Sequence, residues 1–250
     1  MKAGALAVLL LSLLLPFVAR AHGGLLDLSV YDRTEGRRLP VYWHQGRAYV
    51  VGKPGNEYQV VLRNRLREEA LAVVSVDGVN VVTGETAEPR QAGYVLSAGG
   101  SYDILGWRKS LAQTAAFYFT ALPDSYAART GRPENVGVIG VAVFRKKREP
   151  QPIAPAAPEL RRQRSDAAAA AAAQEEARIG TGHGRREESP VRQVTFERAT
   201  PHPAETVTVF YDSYRNLVAQ GVIRPSQPSI APWPQPFPGA VSTFAPDPPG

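Results

Sequence analysis

Leu26-Asp27-Leu28-Ser29-Val30-Tyr31 sets apolar residues at 26, 28 and 30 against Asp27, Ser29 and Tyr31. A strand through this stretch buries one face and leaves the other to water. The same period of two returns in Tyr58, Val60 and Leu62, which alternate with Gln59, Val61 and Arg63, and in Val74 and Val76, which lead into Asp77-Gly78. His44-Gln45-Gly46 reads as a hairpin turn between Val41-Tyr42-Trp43 and residues 48–51, and Asp77-Gly78 as a tighter one before residues 79–82. Further strands fit 93–96, 102–107, 115–121 and 136–144. No helical pattern separates these runs, and a parallel sheet needs crossover helices. The expected fold is mainly β, an antiparallel β-sandwich over residues 22–149.

Beyond this block, residues 150–158 are rich in Pro and Ala, and residues 167–173 are seven consecutive alanines closed by Gly180. Alanine favours helix yet offers little surface to bury, so residues 150–184 read as a linker with an exposed helical spacer. Gly180-Thr181-Gly182-His183-Gly184 reads as a flexible loop. Alternation resumes in 191–198 and 206–211 around Thr200-Pro201-His202-Pro203, which predicts a second hairpin. A two-stranded hairpin is marginal alone, so this one is expected to pack on or join the sandwich, followed by a short helix within 214–222. Residues 225–250 hold nine prolines and predict an extended tail.

The amino-terminal stretch predicts export. Met1-Lys2 is followed by an apolar run to Val18 and by Ala19-Arg20-Ala21, the pattern of a secretory signal peptide over residues 1–21 cut between Ala21 and His22. The run is short for a membrane span, so the expected product is periplasmic or secreted with no stable span. Removing residues 1–21 leaves 27 basic against 23 acidic residues, a net charge of +4. That balance, with no aromatic interleaving, argues against nucleic acid. The basic residues at 145–148 and at 161, 162 and 164 read as a solvated linker able to make weak contact with an anionic surface. The chain has no cysteine, which excludes disulfides, thiol catalysis and Cys-based zinc sites.

The run 71–80, Gly93-Tyr94-Val95-Leu96, and the runs 102–110 and 116–128 resemble a group of exported bacterial proteins of unknown function. Residues 131–140, Gly182-His183-Gly184 and Tyr211-Asp212-Ser213-Tyr214-Arg215-Asn216-Leu217 carry the same resemblance. It spans about two thirds of the chain and transfers no activity. It implies that the segments on either side of the Ala-rich spacer form one functional unit.

No spacing in the chain forces a reaction. There is no phosphate-binding Gly-x4-Gly-Lys, no His-Glu-x-x-His and no Gly-x-Ser-x-Gly. The Gly180, Gly182, Gly184 pattern follows a helical segment where a dinucleotide loop needs a strand, and is set aside. His22, exposed as an amino terminus by cleavage, offers an amine and a ring nitrogen suited to Cu(II), with His44, His183 and His202 as the other histidines. This makes a copper-binding protein the alternative reading. Ser101, Ser110 and Ser125 make a serine hydrolase a more distant one. The long loop 123–135 stands between two apolar strands, where binding groups concentrate. Tyr126, Arg129, Arg132 and Asn135 offer an aromatic surface and planar donors for carboxylates or phosphates; the competing reading is a one-turn helix with Tyr126 as a lid. Asp77 and Asn80 read as turn formers. The expected function is a non-catalytic binding module without cofactor, catalytic residue or resident metal, whose partner is an envelope protein or another macromolecule.

Overall fold

The alternating runs at 26–31 and 58–63 become the centre of a sheet. The computed structural model describes residues 21–22, 24–148 and 178–225, and their strands are numbered along the chain. One sheet contains β1 (Ala21–His22), β2 (Leu26–Asp32), β3 (Arg37–Arg38), β6 (Glu57–Asn64), β10 (Ser101–Ile104), β11 (Gly106–Arg108), β12 (Gln113–Ala121) and β14 (Ile179–Glu188). The other contains β4 (Tyr42–His44), β5 (Arg47–Val51), β7 (Ala70–Val76), β8 (Val79–Asn80), β9 (Tyr94–Leu96), β13 (Val138–Arg145) and β15 (Glu205–Asp212). The two sheets pack face to face as a β-sandwich.

The inward positions fill the space between them. Leu28, Val30, Val60, Leu62, Phe117 and Phe119 of the first sheet meet Val74, Val76, Ile139, Val141, Val207 and Val209 of the second in one buried cluster. Each such side chain contributes about 1.5–3 kcal/mol of hydrophobic stabilisation. A core of this size holds the fold without disulfides.

Both expected turns form. Gln45 and Gly46 adopt φ of +48° and +74°, Asp77 and Gly78 +53° and +73°, the paired left-handed conformation of two-residue hairpins whose twist matches the strands they join.

Three expectations need correction. First, the sandwich is not wholly antiparallel, because β15 pairs with β5 in parallel while pairing antiparallel with β13. The long connection between β5 and β15 passes through the rest of the molecule, so no crossover helix is needed. Second, the hairpin expected from 191–198 and 206–211 does not form: β15 joins the second sheet, and residues 191–197 have no regular structure. Of those residues, Val191 packs on the main core and Val194 is exposed, while Phe196 reaches the outer face of the second sheet. There Phe196 packs on Leu71, Val73, Ala142 and Phe144, and the Arg198 guanidinium sits 4.5 Å above the Phe144 ring. Phe196 and Arg198 thus cover a small second cluster, and the run forms no strand pair with β15. Third, Gly180-Thr181-Gly182-His183-Gly184 is neither loop nor linker, because it lies inside β14, paired along β12. A Cβ built on Gly182 would stand 2.1 Å from Cζ of Tyr118, so the Tyr118 ring occupies the place of the missing side chain. Hydrophobic periodicity cannot register a strand whose outward positions are glycines.

The short helix after β15 forms as α2 (Tyr214–Ala219), with the Ser213 hydroxyl accepting from Asn216 N–H. The segment through residue 20 expected to be a signal peptide, the expected helical spacer and the tail from residue 226 onward lie outside the described residues.

Candidate functional site

A polar thread crosses the apolar core from one sheet to the other. The Tyr211 hydroxyl (β15) donates to Asp77 Oδ1 at 2.6 Å. With that proton committed, the Tyr211 oxygen accepts from Thr181 Oγ1 (β14) at 2.7 Å, and Thr181 in turn accepts from the Tyr58 hydroxyl (β6) at 2.6 Å. Asp77 also accepts the backbone N–H of Gly137 on Oδ1 and that of Thr181 on Oδ2. Both tyrosines, Thr181 and Asp77 are buried. A buried carboxylate accepting three hydrogen bonds is well satisfied, yet burial outweighs them and pushes its pKa up to about 6. Burial and the nearby Asp77 charge also raise both tyrosine hydroxyls well above their ordinary value. The thread ties four elements of two sheets together through directional bonds. Asp77 has the left-handed turn backbone expected of it, and its burial carries no local signal in the sequence. Asn80 is a turn former, accepting from Val82 N–H and donating to the Ala92 carbonyl.

The loop 123–135 caps the open end of the sandwich. It consists of a 3-10 turn (Leu122–Asp124), the one-turn helix α1 (Tyr126–Arg129) and a second 3-10 turn (Pro133–Asn135). Ser125 is the N-cap: its hydroxyl accepts from Ala128 N–H at 3.1 Å and donates to the Leu122 carbonyl at 2.7 Å. Ser125→Ala is therefore expected to cost about 1 kcal/mol in urea unfolding; an unchanged midpoint would contradict the capping role.

The structure separates the four candidate residues of this loop. The Tyr126 ring lies 4.7 Å from that of Trp107 and 5.6 Å from that of His183. Trp107 is itself fixed by Nε1 donating to the Gly182 carbonyl. Arg132 is spent on the fold, donating to the Gly84 carbonyl at 3.0 Å and to Thr130 Oγ1 at 2.8 Å. Asn135 lies against Gly78. Arg129 is exposed and makes no ion pair among the described residues.

Two further cations gather with Arg129 around His183. β12 advances two residues from Ala115 to Phe117 while β14 advances three, from Arg186 back to His183. The extra residue in β14 is a bulge, which keeps His183 and Arg186 on one face where a regular strand would set them on opposite faces. Burial first, and then the positive charges of Lys109, Arg186 and Arg129, hold the His183 pKa below its ordinary value. Lys109 and Arg186 are exposed and, like Arg129, make no ion pair among the described residues. By contrast, Arg185 on the opposite face of β14 pairs with Glu57 at 2.9 Å. The cap thus presents an aromatic stack edged by three uncompensated cations. Loop length points to Tyr126 and Arg129 in the sequence; Lys109 and Arg186 carry no such signal, and His183, a histidine of the copper reading, is brought beside Tyr126 only by the β11–β12 hairpin and the β14 bulge.

The other candidates are accounted for individually. Ser110 closes its own turn by accepting from Ala112 and Gln113 N–H, and Ser101 begins β10 on the exposed side. None of the three serines hydrogen-bonds a histidine among the described residues. His44 ends β4 on the second sheet, His183 lies in β14 of the first, and the His202 carbonyl accepts from Thr200 Oγ1. The side chain of His22 lies outside the described residues, which contain no group of three His, Cys, Asp or Glu placed to hold a metal ion. Comparison with models of protein families, with curated proteins and with solved structures gives no match.

Proposed function

We propose that this chain is an exported, non-catalytic β-sandwich binding module that recognises an anionic macromolecule of the cell envelope through the cap at 123–135. The observation that carries this reading is the cluster of Lys109, Arg129 and Arg186 around the Tyr126–His183 stack, left without acidic partners among the described residues. Several arginines elsewhere on the molecule are paired, Arg33 with Glu187 at 2.7 Å and Arg145 with Glu68 at 3.2 Å, whereas these three cations stand together without an acidic partner among the described residues. Unpaired like charges repel one another and lower stability unless a partner neutralises them, so their concentration on one face favours an anionic partner. The export pattern of residues 1–21 and the resemblance described above support a partner outside the cytoplasm.

The test is a photo-crosslinking residue at position 129, compared with one at exposed position 37 on the β2–β3 edge, in cells of the source organism. A distinct adduct is expected from position 129 alone, and it is expected to disappear when Lys109 and Arg186 are both changed to Glu. No adduct, the same adduct from both positions, or indifference to the charge reversals would overturn the proposal.

A further inference from the structure

A second site shares no residue with the cationic cluster: β5, β15 and α2, with residues 136–137 and 178–179, line a cavity of about 410 Å³. Its size falls at the lower end of small-molecule sites. Tyr49 and Phe210 form an aromatic wall, their ring centroids 5.5 Å apart and tilted by 33°. The Arg47 guanidinium lies 5.5 Å from the Phe210 ring centre, held there by the ring and by no carboxylate among the described residues. Arg178 also lines the cavity, with one nitrogen donating to the Val136 carbonyl; a guanidinium carries five N–H donors, so most of its capacity remains.

One acid lines the cavity, Asp212, and its oxygens are already engaged. Oδ1 accepts from Ser213 N–H at 2.7 Å and from Asn216 Nδ2 at 2.8 Å, and Oδ2 accepts from Gln220 Nε2 at 3.2 Å. Asp212 thus fixes the start of α2 against β15 and neutralises neither arginine through an ion pair. Two guanidinium groups that face a concave, half-apolar space complement an oxyanion on a flat or apolar body.

We infer that this cavity is a binding site for a small aromatic oxyanion, a carboxylate or a phosphate monoester, with the anionic group between Arg47 and Arg178 and the ring against Tyr49 and Phe210. None of Lys109, Tyr126, Arg129, His183 or Arg186 lines this cavity, so its occupancy does not depend on the macromolecular reading of the cap.

The experiment is amide NMR of the full chain titrated with phenyl phosphate and, separately, with benzoate, benzyl alcohol and inorganic phosphate. Shifts centred on Tyr49, Gly137 and Phe210 are expected with phenyl phosphate or benzoate, at a dissociation constant of about 1 mM or below, and the stronger of the two identifies the anionic group. Benzyl alcohol is expected to bind at least about tenfold more weakly, and Arg47→Gln to weaken the aromatic anion about fivefold or more. Arg47 is exposed and its side chain makes no hydrogen bond among the described residues, so the variant keeps the scaffold. No localised shifts up to about 20 mM, equal binding by Arg47→Gln, or equal binding of benzyl alcohol would overturn the inference. Shifts confined to Lys109, Arg129 and Arg186 would overturn it too, while leaving the cap proposal standing.

Discussion

Replacing Asp77 by alanine is expected to lower stability by about 3 kcal/mol at neutral pH, and by more in mild acid. Three donors lose their acceptor at once: the Tyr211 hydroxyl and the backbone N–H groups of Gly137 and Thr181. Each buried donor left unpaired costs about 1–3 kcal/mol, and alanine at φ +53° adds about 1 kcal/mol of backbone strain. The relief of no longer burying a charge offsets part of this.

The pH dependence follows from the same residue. Burial raises the folded-state pKa of Asp77 from 3.8 to about 6, so the folded protein holds this proton more tightly than the unfolded chain does. The resulting stability is fully present below pH 3.8 and is lost as pH rises through about 6, a difference of about 3 kcal/mol. Carboxylates such as Glu35 and Glu68, whose pKa values are lowered by arginine and lysine partners, run in the opposite direction. The informative quantity is therefore the difference between the wild type and Asp77→Asn, since asparagine keeps the left-handed turn and cannot ionise. Urea unfolding across pH 3.5–7 should show the wild type losing its advantage over Asp77→Asn as pH rises. A constant gap between the two would show that Asp77 does not titrate in this window.

Gly106→Ala is expected to be as damaging, costing about 3 kcal/mol or preventing folding. The chain from β10 to β11 changes partner: residues 101–104 pair with β6, and residues 106–108 pair with β12. At the corner the backbone passes so close to β12 that a Cβ on Gly106 would lie 2.0 Å from the Ala115 carbonyl oxygen and 2.9 Å from Cα of Ala116. These are backbone atoms of a buried strand, and they cannot swing aside as a side chain does. The corner also carries Trp107, whose ring meets Phe117 edge-on at 5.1 Å and supports Tyr126. Strain at Gly106 should therefore reach the cap, and the spectral environment of Trp107 should change along with the unfolding midpoint. A midpoint within about 0.5 kcal/mol of wild type would mean that the strand crossing is looser than described.

How much of this was legible depends on the range of the interaction responsible. Residues 26–31, 58–63 and 74–82 announced strands and turns because a period of two and a left-handed turn are properties of a few adjacent residues. β14 was hidden because its outward positions are glycines whose place is filled by Tyr118, a residue of another strand. The 191–198 run imitated a strand because apolar and polar residues are interspersed in it, although Val191 packs on the main core, Val194 is exposed and Phe196 covers the outer cluster.

The sequence by itself determined that the described chain is a two-sheet, cysteine-free β protein, and where its turns fall. Only the tertiary structure decided that Asp77 is buried against Tyr211, 134 residues away, that His183, Lys109 and Arg186 join Arg129 on one face, and that β15 lies between β5 and β13. The reason is physical: alternation is encoded locally in each strand, whereas which strands become neighbours depends on closing long loops and filling a shared core, and no single stretch of chain carries that information.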